Sequence, residues 1–479
     1  MDSSPLPLPH IAVFPFMSKG HTIPLVHLAH LLHRRQLATL TFFTTPLNAP
    51  FIRDSLAGTD ASIVELPFPE NVPDIPAGVE STDRLPSMSL FVPFLYAVKR
   101  LRPDFEQALD RLPTVGLLIS DGFLGWTNDS ASKFGIPRMV FYGMGNFAQT
   151  VSCKVAVYKP HAGVTSYDVP FMVPGFPHLW ITRSDLEPPF DDPDPDPKDP
   201  HFQFIVEQAM ATGASQGVVV NSFYELEAAY VDRCNTEGVP RAWCIGPLCL
   251  ARQTTPQAEK TGWMDWLDSR QGMNRPVIYV AFGSQAELSA AQLQQLATGL
   301  ERSGLDFLWV VRPKAMDLGQ GFEERVKERG RVVRDWVNQM EILRHGSVKG
   351  FISHCGWNSV MESVSAGVPI LAWPLMAEQK LNAKFVVDEL KIGLRVRPSG
   401  GGTPNGLVMS EEIERSAREL LVEEKGKETA ERAKYWAEAA RKAMDGGASW
   451  LTLEKMIEEV CVKRTTQNAI VPAAPVTVA

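Results

Sequence analysis

Along the first half of the chain, short apolar and β-branched runs alternate with longer stretches whose apolar positions recur at helical spacing. The runs are HIAVFPF (10–16), LATLTFF (37–43), ASIVELP (61–67), VGLLISD (115–121), PRMVFYG (137–143) and GVVVNSF (217–223). A second series follows: PVIYVAFGS (276–284), DFLWVVR (306–312), RVVRDWV (331–337), VKGFISH (348–354), VPILAWP (368–374) and IGLRVRP (392–398). Near-continuous apolar strands separated by helices predict parallel sheets covered on both faces. Two series predict an α/β chain with two doubly wound domains facing a cleft. The stretch 239–262 between them is rich in breakers and polar residues and reads as connecting chain. EPPFDDPDPDPKDP (187–200) cannot be strand or helix and predicts an exposed loop. Two helical segments, 410–445 and 447–463, close the chain. The expected boundaries are an N-terminal domain over 1–250, a linker over 251–270 and a C-terminal domain over 271–446. A final helix over 447–463 should pack back on the N-terminal domain, and 464–479 should be disordered.

Composition narrows the class. Of 479 residues, 44% are hydrophobic and 21% charged, which suits a globular protein with a large core. The formal net charge of -8 argues against nucleic acid, whose partners carry a basic face. The six cysteines, Cys153, Cys234, Cys244, Cys249, Cys355 and Cys461, show no C-x-x-C spacing. They are too few for a disulfide scaffold and wrongly spaced for structural zinc, as expected of reduced thiols in a cytoplasmic protein. No apolar stretch approaches the roughly 18 residues of a membrane span, and the first residues lack the positive start of a signal peptide.

The chemistry concentrates at FISHCGWNSVMES (351–363). VKGFIS reads as a buried strand and NSVMESVSAG as a helix ending at Gly367, so HCGWNS is a turn at a strand's carboxyl end. Open α/β sheets bind ligands there. The amides of Asn358 and Ser359, at a helix start, form an anion site that His354 can extend, and Glu362 one turn in can accept from vicinal hydroxyls. The same residues could instead be a capping pattern around a core histidine. A Cys355–His354 nucleophilic pair is disfavoured, because neighbours on a strand point to opposite faces.

In the first half, FPFMSKGHTIPLVHLAHLLHRR (14–35) reads as strand, loop and helix. His27, His30 and His33 lie at three-residue steps, which raises zinc, but no carboxylate or cysteine completes a set, so no metal is expected. Gly143-Met144-Gly145-Asn146-Phe147-Ala148 matches a dinucleotide fingerprint after a strand. The acidic residue about 20 positions on is missing; Asp168 is the nearest.

The 44 residues from Trp336 to Gln379 resemble the C-terminal signature box of plant family 1 UDP-dependent glycosyltransferases. IYVAFGS (278–284), NSFYELE (221–227), IGPL (245–248) and WLDSR (266–270) resemble further segments of that family, so the resemblance covers nearly the whole chain. It implies two Rossmann-like domains (the GT-B architecture), with the acceptor in the N-terminal domain and the UDP-sugar in the C-terminal one. Trp336 would stack on the uracil and the backbone of Val337 would read its edge. Gln339 and Glu362 would hold the ribose. Ser284, His354, Asn358 and Ser359 would bind the diphosphate. Trp357, Glu378 and Gln379 would bracket the sugar, with Gln379 favouring glucose. His21 matches the family's catalytic histidine and Asp121 its partner aspartate.

The implied reaction is inverting transfer, with His21 as base, no covalent intermediate and no cofactor beyond the UDP-sugar co-substrate. Phe16, Phe91, Phe94, Phe123, Phe141, Asn146 and Phe147 are the expected acceptor pocket, suited to a small lipophilic, phenolic or flavonoid acceptor. Gly143 stands where relatives often carry Thr or Ser against the sugar, which leaves room beside His21. An O-glycoside is the default product; a C-glycoside on an aromatic carbon is the alternative. Further off stand a nicotinamide-dependent oxidoreductase and a non-catalytic nucleotide-sugar binder. The expected partners are the two small substrates, and the expected state is a monomer.

Overall fold

The computed structural model describes residues 8–237, 240–251, 262–285, 288–311, 318–398 and 406–462. Much of the expected linker and all of the expected tail lie outside them. The N-terminal half holds β1 (His10–Phe14), β2 (Thr39–Thr44), β3 (Ser62–Glu65), β4 (Leu117–Asp121), β5 (Arg138–Tyr142), β6 (Phe171–Val173), β7 (Phe176–Ile181), β8 (Gly217–Val220) and β9 (Ala242–Cys244). The C-terminal half holds β10 (Val277–Ala281), β11 (Asp306–Val310), β12 (Gly330–Val333), β13 (Val348–Ser353), β14 (Ile370–Ala372) and β15 (Gly393–Arg395).

Two parallel sheets result, in the orders β3-β2-β1-β4-β5-β8-β9 and β12-β11-β10-β13-β14-β15. The molecule has two doubly wound Rossmann-like units. Residues of β1 show why the runs read as continuously apolar: Ile11 and Val13 enter one core cluster, Ala12 and Phe14 the cluster on the opposite face. Side chains alternate, but both faces are buried. Strand order reverses between β1 and β4, and again between β10 and β13. Chain leaving adjacent strands diverges at those points and opens a crevice at the carboxyl edge.

Several expectations need correction. The antiparallel pair β6–β7 was not expected. The breaker-rich stretch 239–262 contains β9, an edge strand of three residues beside β8. Residues 262–270, assigned to the linker, belong to a helix, Gly262–Gly272, whose Trp263 and Leu267 are buried in the C-terminal core. The segment 410–445 is two helices, Ser410–Leu421 and Glu424–Met444. The following helix, Ala448–Ile457, contributes Leu453, Met456 and Ile457 to the core behind β1. Arg35 fixes it by donating to the Trp450 carbonyl at 3.0 Å and by lying over the Trp450 ring.

A shared core joins the halves. Phe147, Phe176 and Tyr230 of the N-terminal half cluster with Trp357, Phe385 and Ala433 of the C-terminal half. The Phe147 and Phe385 rings stack 4.8 Å apart.

Candidate active site

Both crevices carry polar groups, and the two face each other. After β1 the chain turns at Ser18 into the helix Lys19–Arg34, which places His21 in its first turn. Asp121 is the last residue of β4. The two lie on either side of the N-terminal crevice, and His21 Nδ1 is 2.7 Å from Asp121 Oδ2. Asp121 is fully buried, and His21 keeps 20% exposure. The other carboxylate oxygen of Asp121 accepts from the Phe123 amide at 2.9 Å. Burial alone would depress the His21 pKa. The charge and hydrogen bond of Asp121, with Glu378 adding its charge, overcome that and raise it above the ordinary histidine value. This geometry fixes Nδ1 on the carboxylate and leaves Nε2 as the proton acceptor.

Aromatic rings wall the same spot. Phe16 lies edge-on to His21 at 5.6 Å, and Phe123 lies 5.1 Å from it. Phe91 and Phe94 pack on Phe16, and Phe204, which the sequence did not single out, packs on Phe123. Four of the seven expected pocket residues therefore gather at His21. The other three are corrected. Phe141 is buried on the opposite face of the sheet, among Trp243 and Met456. Asn146 is buried, donating to Glu227 at 3.1 Å. Phe147 belongs to the core between the halves.

The fingerprint-like stretch at Gly143 has a structural meaning. A Cβ on Gly145 would fall 2.6 Å from the Trp357 ring, so that glycine admits an indole from the other half. The helix Asn146–Tyr158 begins there, and the buried carboxylate of Glu227 already accepts from the Phe147 amide at 2.7 Å. An anion from the protein occupies the position a pyrophosphate would need. A Cβ on Gly143 would touch the His21 ring at 3.6 Å, so this glycine leaves the face of the imidazole open.

Across the cleft, β13 ends at Ser353 and the helix Trp357–Ala366 starts after Gly356. No side chain caps that helix. The hydroxyl of Ser359 accepts from Gln339 Nε2 at 2.9 Å, and the Asn358 amide donates to the Gly20 carbonyl at 2.6 Å. Both side chains turn away from the helix axis, and the N-terminal amides keep their positive potential. His354 lies between Gly283 and Gly356; a Cβ on either would come within 2.7 or 2.5 Å of its Nε2. Ser284 follows Gly283 on the same rim and is partly exposed. Cys355 is buried with φ of 62°, and burial pushes its thiol up to about 12, which makes it inert packing.

Gln339 also donates to Glu362 at 2.6 Å, and Tyr279 donates to Gln339 at 3.2 Å. Burial raises the Glu362 carboxyl to about 7, against the Gln339 hydrogen bond and Arg344. Trp336 is 65% exposed, the adjoining Val337 is buried, and Lys19 from the opposite half reaches to 4.5 Å from the Trp336 ring. Glu378 is held by Asn382 at 3.2 Å, and its charge is felt at His21. Gln379 accepts from the amides of Leu375 and Met376 through its side-chain oxygen, which leaves its nitrogen to reach a ligand. The expected role of Trp357 is corrected. Its indole is 2% exposed and donates to the Asn221 carbonyl at 2.8 Å, so only its backbone can border a sugar. Gln285 was missed by the sequence reading. It donates across the cleft to Ser18 at 2.8 Å and Thr82 at 2.5 Å.

A concavity of about 1780 Å³ lies elsewhere, between Arg183, Trp373, Arg395 and Arg415. Its acids and bases largely pair with one another, as in Arg395–Asp185 and Arg415–Glu412, and His21 is not on its wall. The cleft at His21 is the better candidate, because aromatic walls, a paired base and an anion site converge there.

The chain is similar to known proteins along nearly its whole length. Residues 253–397 match the sequence model of the family described as UDP-glucoronosyl and UDP-glucosyl transferase. UDP-glycosyltransferase 90A1 of Arabidopsis thaliana is 46% identical over 471 residues, covering 96% of this chain and 98% of that protein. UDP-glucose flavonoid 3-O-glucosyltransferase 7 of Fragaria ananassa is 36% identical, covering 94% and 96%. The crystal structure of Glycyrrhiza uralensis UGT73P12, complexed with glycyrrhetinic acid 3-O-monoglucuronide, superposes with a TM-score of 0.85 at 30% identity, covering 97% and 98%.

Proposed function

This chain belongs to the plant family 1 UDP-dependent glycosyltransferases, and on that premise we propose that it transfers glucose from UDP-glucose to a hydroxyl of a small phenolic acceptor of the flavonoid class. The observation that carries the reading is the His21–Asp121 pair, 2.7 Å apart, with Phe16, Phe91 and Phe123 around it. The apolar ring walls suit a planar aromatic acceptor, and the Fragaria relative acts on a flavonoid by its name.

The acceptor hydroxyl gives its proton to His21 Nε2 as its oxygen attacks the anomeric carbon. Asp121 holds the ring and stabilises the imidazolium. Attack comes from the face opposite UDP, so the configuration inverts. The oxygen–carbon bond forms as the bond to the diphosphate breaks. The leaving charge falls on the amides at the start of the helix Trp357–Ala366 and on His354, so UDP departs without a proton from the protein. On the donor side, Trp336 stacks on the base and the backbone of Val337 reads its edge. Gln339 and Glu362 take the ribose, and Ser284, Ser359 and the backbone of Asn358 take the phosphates. Glu378 and the nitrogen of Gln379 take the sugar hydroxyls.

The test is UDP release from UDP-glucose against a panel of flavonoids, phenolic acids and terpenoid alcohols, with product mass and acid stability measured. The expected result is UDP release with an acid-labile hexoside of a phenolic. An acid-stable product would assign a carbon–carbon bond instead, and release only with another UDP-sugar would overturn the glucose reading. No release with any donor would contradict the transferase reading as a whole.

A further inference from the structure

Behind Asp121 lies a charged group that no step above uses. Arg138, the first residue of β5, is 2% exposed. Its guanidinium donates from Nε to Ser120 at 2.7 Å and Thr127 at 3.0 Å, from Nη1 to Ser215 at 2.8 Å, and from Nη2 to the Asp121 carbonyl at 3.3 Å. Every one of these acceptors is neutral. Among the described residues Arg138 has no ion pair, which is unusual for a buried cation. Burial lowers it to about 10, and the groups pulling it back are Tyr142 and Asp121. Tyr142 is itself raised by burial and stays a neutral phenol near neutral pH. Asp121 is therefore the buried anion that balances Arg138. Facing His21 from the other side are Asp121 and Glu378.

We propose that Arg138 is a positioning residue for sugar transfer that acts through Asp121: buried behind it and hydrogen-bonded to its carbonyl, the guanidinium sets its charge against the side of Asp121 away from His21. Charge placed there has a definite sign. The contact of His21 Nδ1 with Asp121 leaves Nε2 as the basic nitrogen. A cation behind Asp121 opposes the imidazolium, so His21 remains deprotonated at lower pH than Asp121 and Glu378 alone would allow. A purely structural Arg138 would give the opposite sign. Loss of its hydrogen bonds would loosen Asp121, and His21 would lose the partner that raises its pKa.

The inference rests on His21 being the base, and the experiment separates the two. The acidic limb of kcat/KM against pH is measured for the wild type, Arg138→Gln and Arg138→Lys, with His21→Ala turnover as the control. Arg138→Gln is expected to move the limb upward by about 0.5–1 pH unit. Arg138→Lys keeps the charge and is expected to hold the limb within about 0.2 unit, although it loses hydrogen bonds and melts earlier. A limb unmoved or lowered in Arg138→Gln overturns the proposal. If Arg138→Gln does not fold, a shifted limb in Arg138→Lys overturns it equally. Full turnover in His21→Ala would instead remove the base assignment on which the proposal stands.

Discussion

A carboxyl raised to about 7 is poised to report on its ligand, and Glu362 is such a group. Between the ordinary carboxylate range and about pH 7, the folded protein keeps a proton there that the unfolded chain has lost. The Glu362 contribution to stability therefore falls as pH rises through that window. Ribose hydroxyls donating to the carboxylate would favour its ionised form. UDP binding at pH 7 is expected to release protons, measurable by calorimetry in buffers of different ionisation enthalpy, and Glu362→Gln is expected to abolish the release. His21 behaves in the opposite chemical sense. Its pKa is raised, so activity should rise along an acidic limb above the ordinary value of 6.5. Asp121→Asn removes the charge that raises it and should lower turnover by about 10²–10⁴-fold. These residues were legible one by one, because their positions at strand ends could be counted. The surroundings of Glu362 were not, since Gln339, which hydrogen-bonds it, and Tyr279, which holds Gln339, come from elements 23 and 83 residues earlier.

At the level of elements, the turn after β13 shows how a site is built from small residues. Gly283 has φ of 73° and Gly356 faces the same imidazole, so His354 lies in a slot two residues wide. Adding a methyl group at Gly356 forces the ring to move. Gly356→Ala is expected to cost about 1–3 kcal/mol in that packing, read as a loss of roughly 5–150-fold in UDP affinity with the fold retained by circular dichroism. The core strands were readable from sequence, because burial on both faces makes their runs continuously apolar. The weak elements were not. β6 and β9 have three residues each, too short for a period to register. Trp357 and Phe147 were misassigned for a related reason. An aromatic one or two residues after a glycine in a motif looks the same whether it lines a pocket or fills a core. Only the neighbour across the halves, Gly145 for Trp357 and Phe385 for Phe147, decides.

For the whole molecule, the halves are joined both by apolar packing and by polar contacts across the cleft. The shared cluster around Phe147, Tyr230, Trp357 and Phe385 is a core of its own. Phe385→Ala is expected to destabilise by about 3–5 kcal/mol, and calorimetry should show both halves melting together. Two separate transitions would show that the shared core does not couple them. At the cleft, Gln285 to Ser18 and Asn358 to Gly20 tie the donor side to the start of the helix that carries His21. Gln285→Ala should raise the KM for UDP-glucose several-fold while leaving His21 chemistry intact. Contacts of this kind join positions hundreds of residues apart, and a single sequence carries no sign of them.

The central claim is that this cleft moves a sugar with His21 as the base, and turnover of His21→Ala tests it most directly. UDP affinity is measured on the same sample. The account predicts UDP binding close to wild type and turnover lower by about 10²–10⁴-fold. Wild-type turnover in that variant, with UDP bound normally, would contradict it.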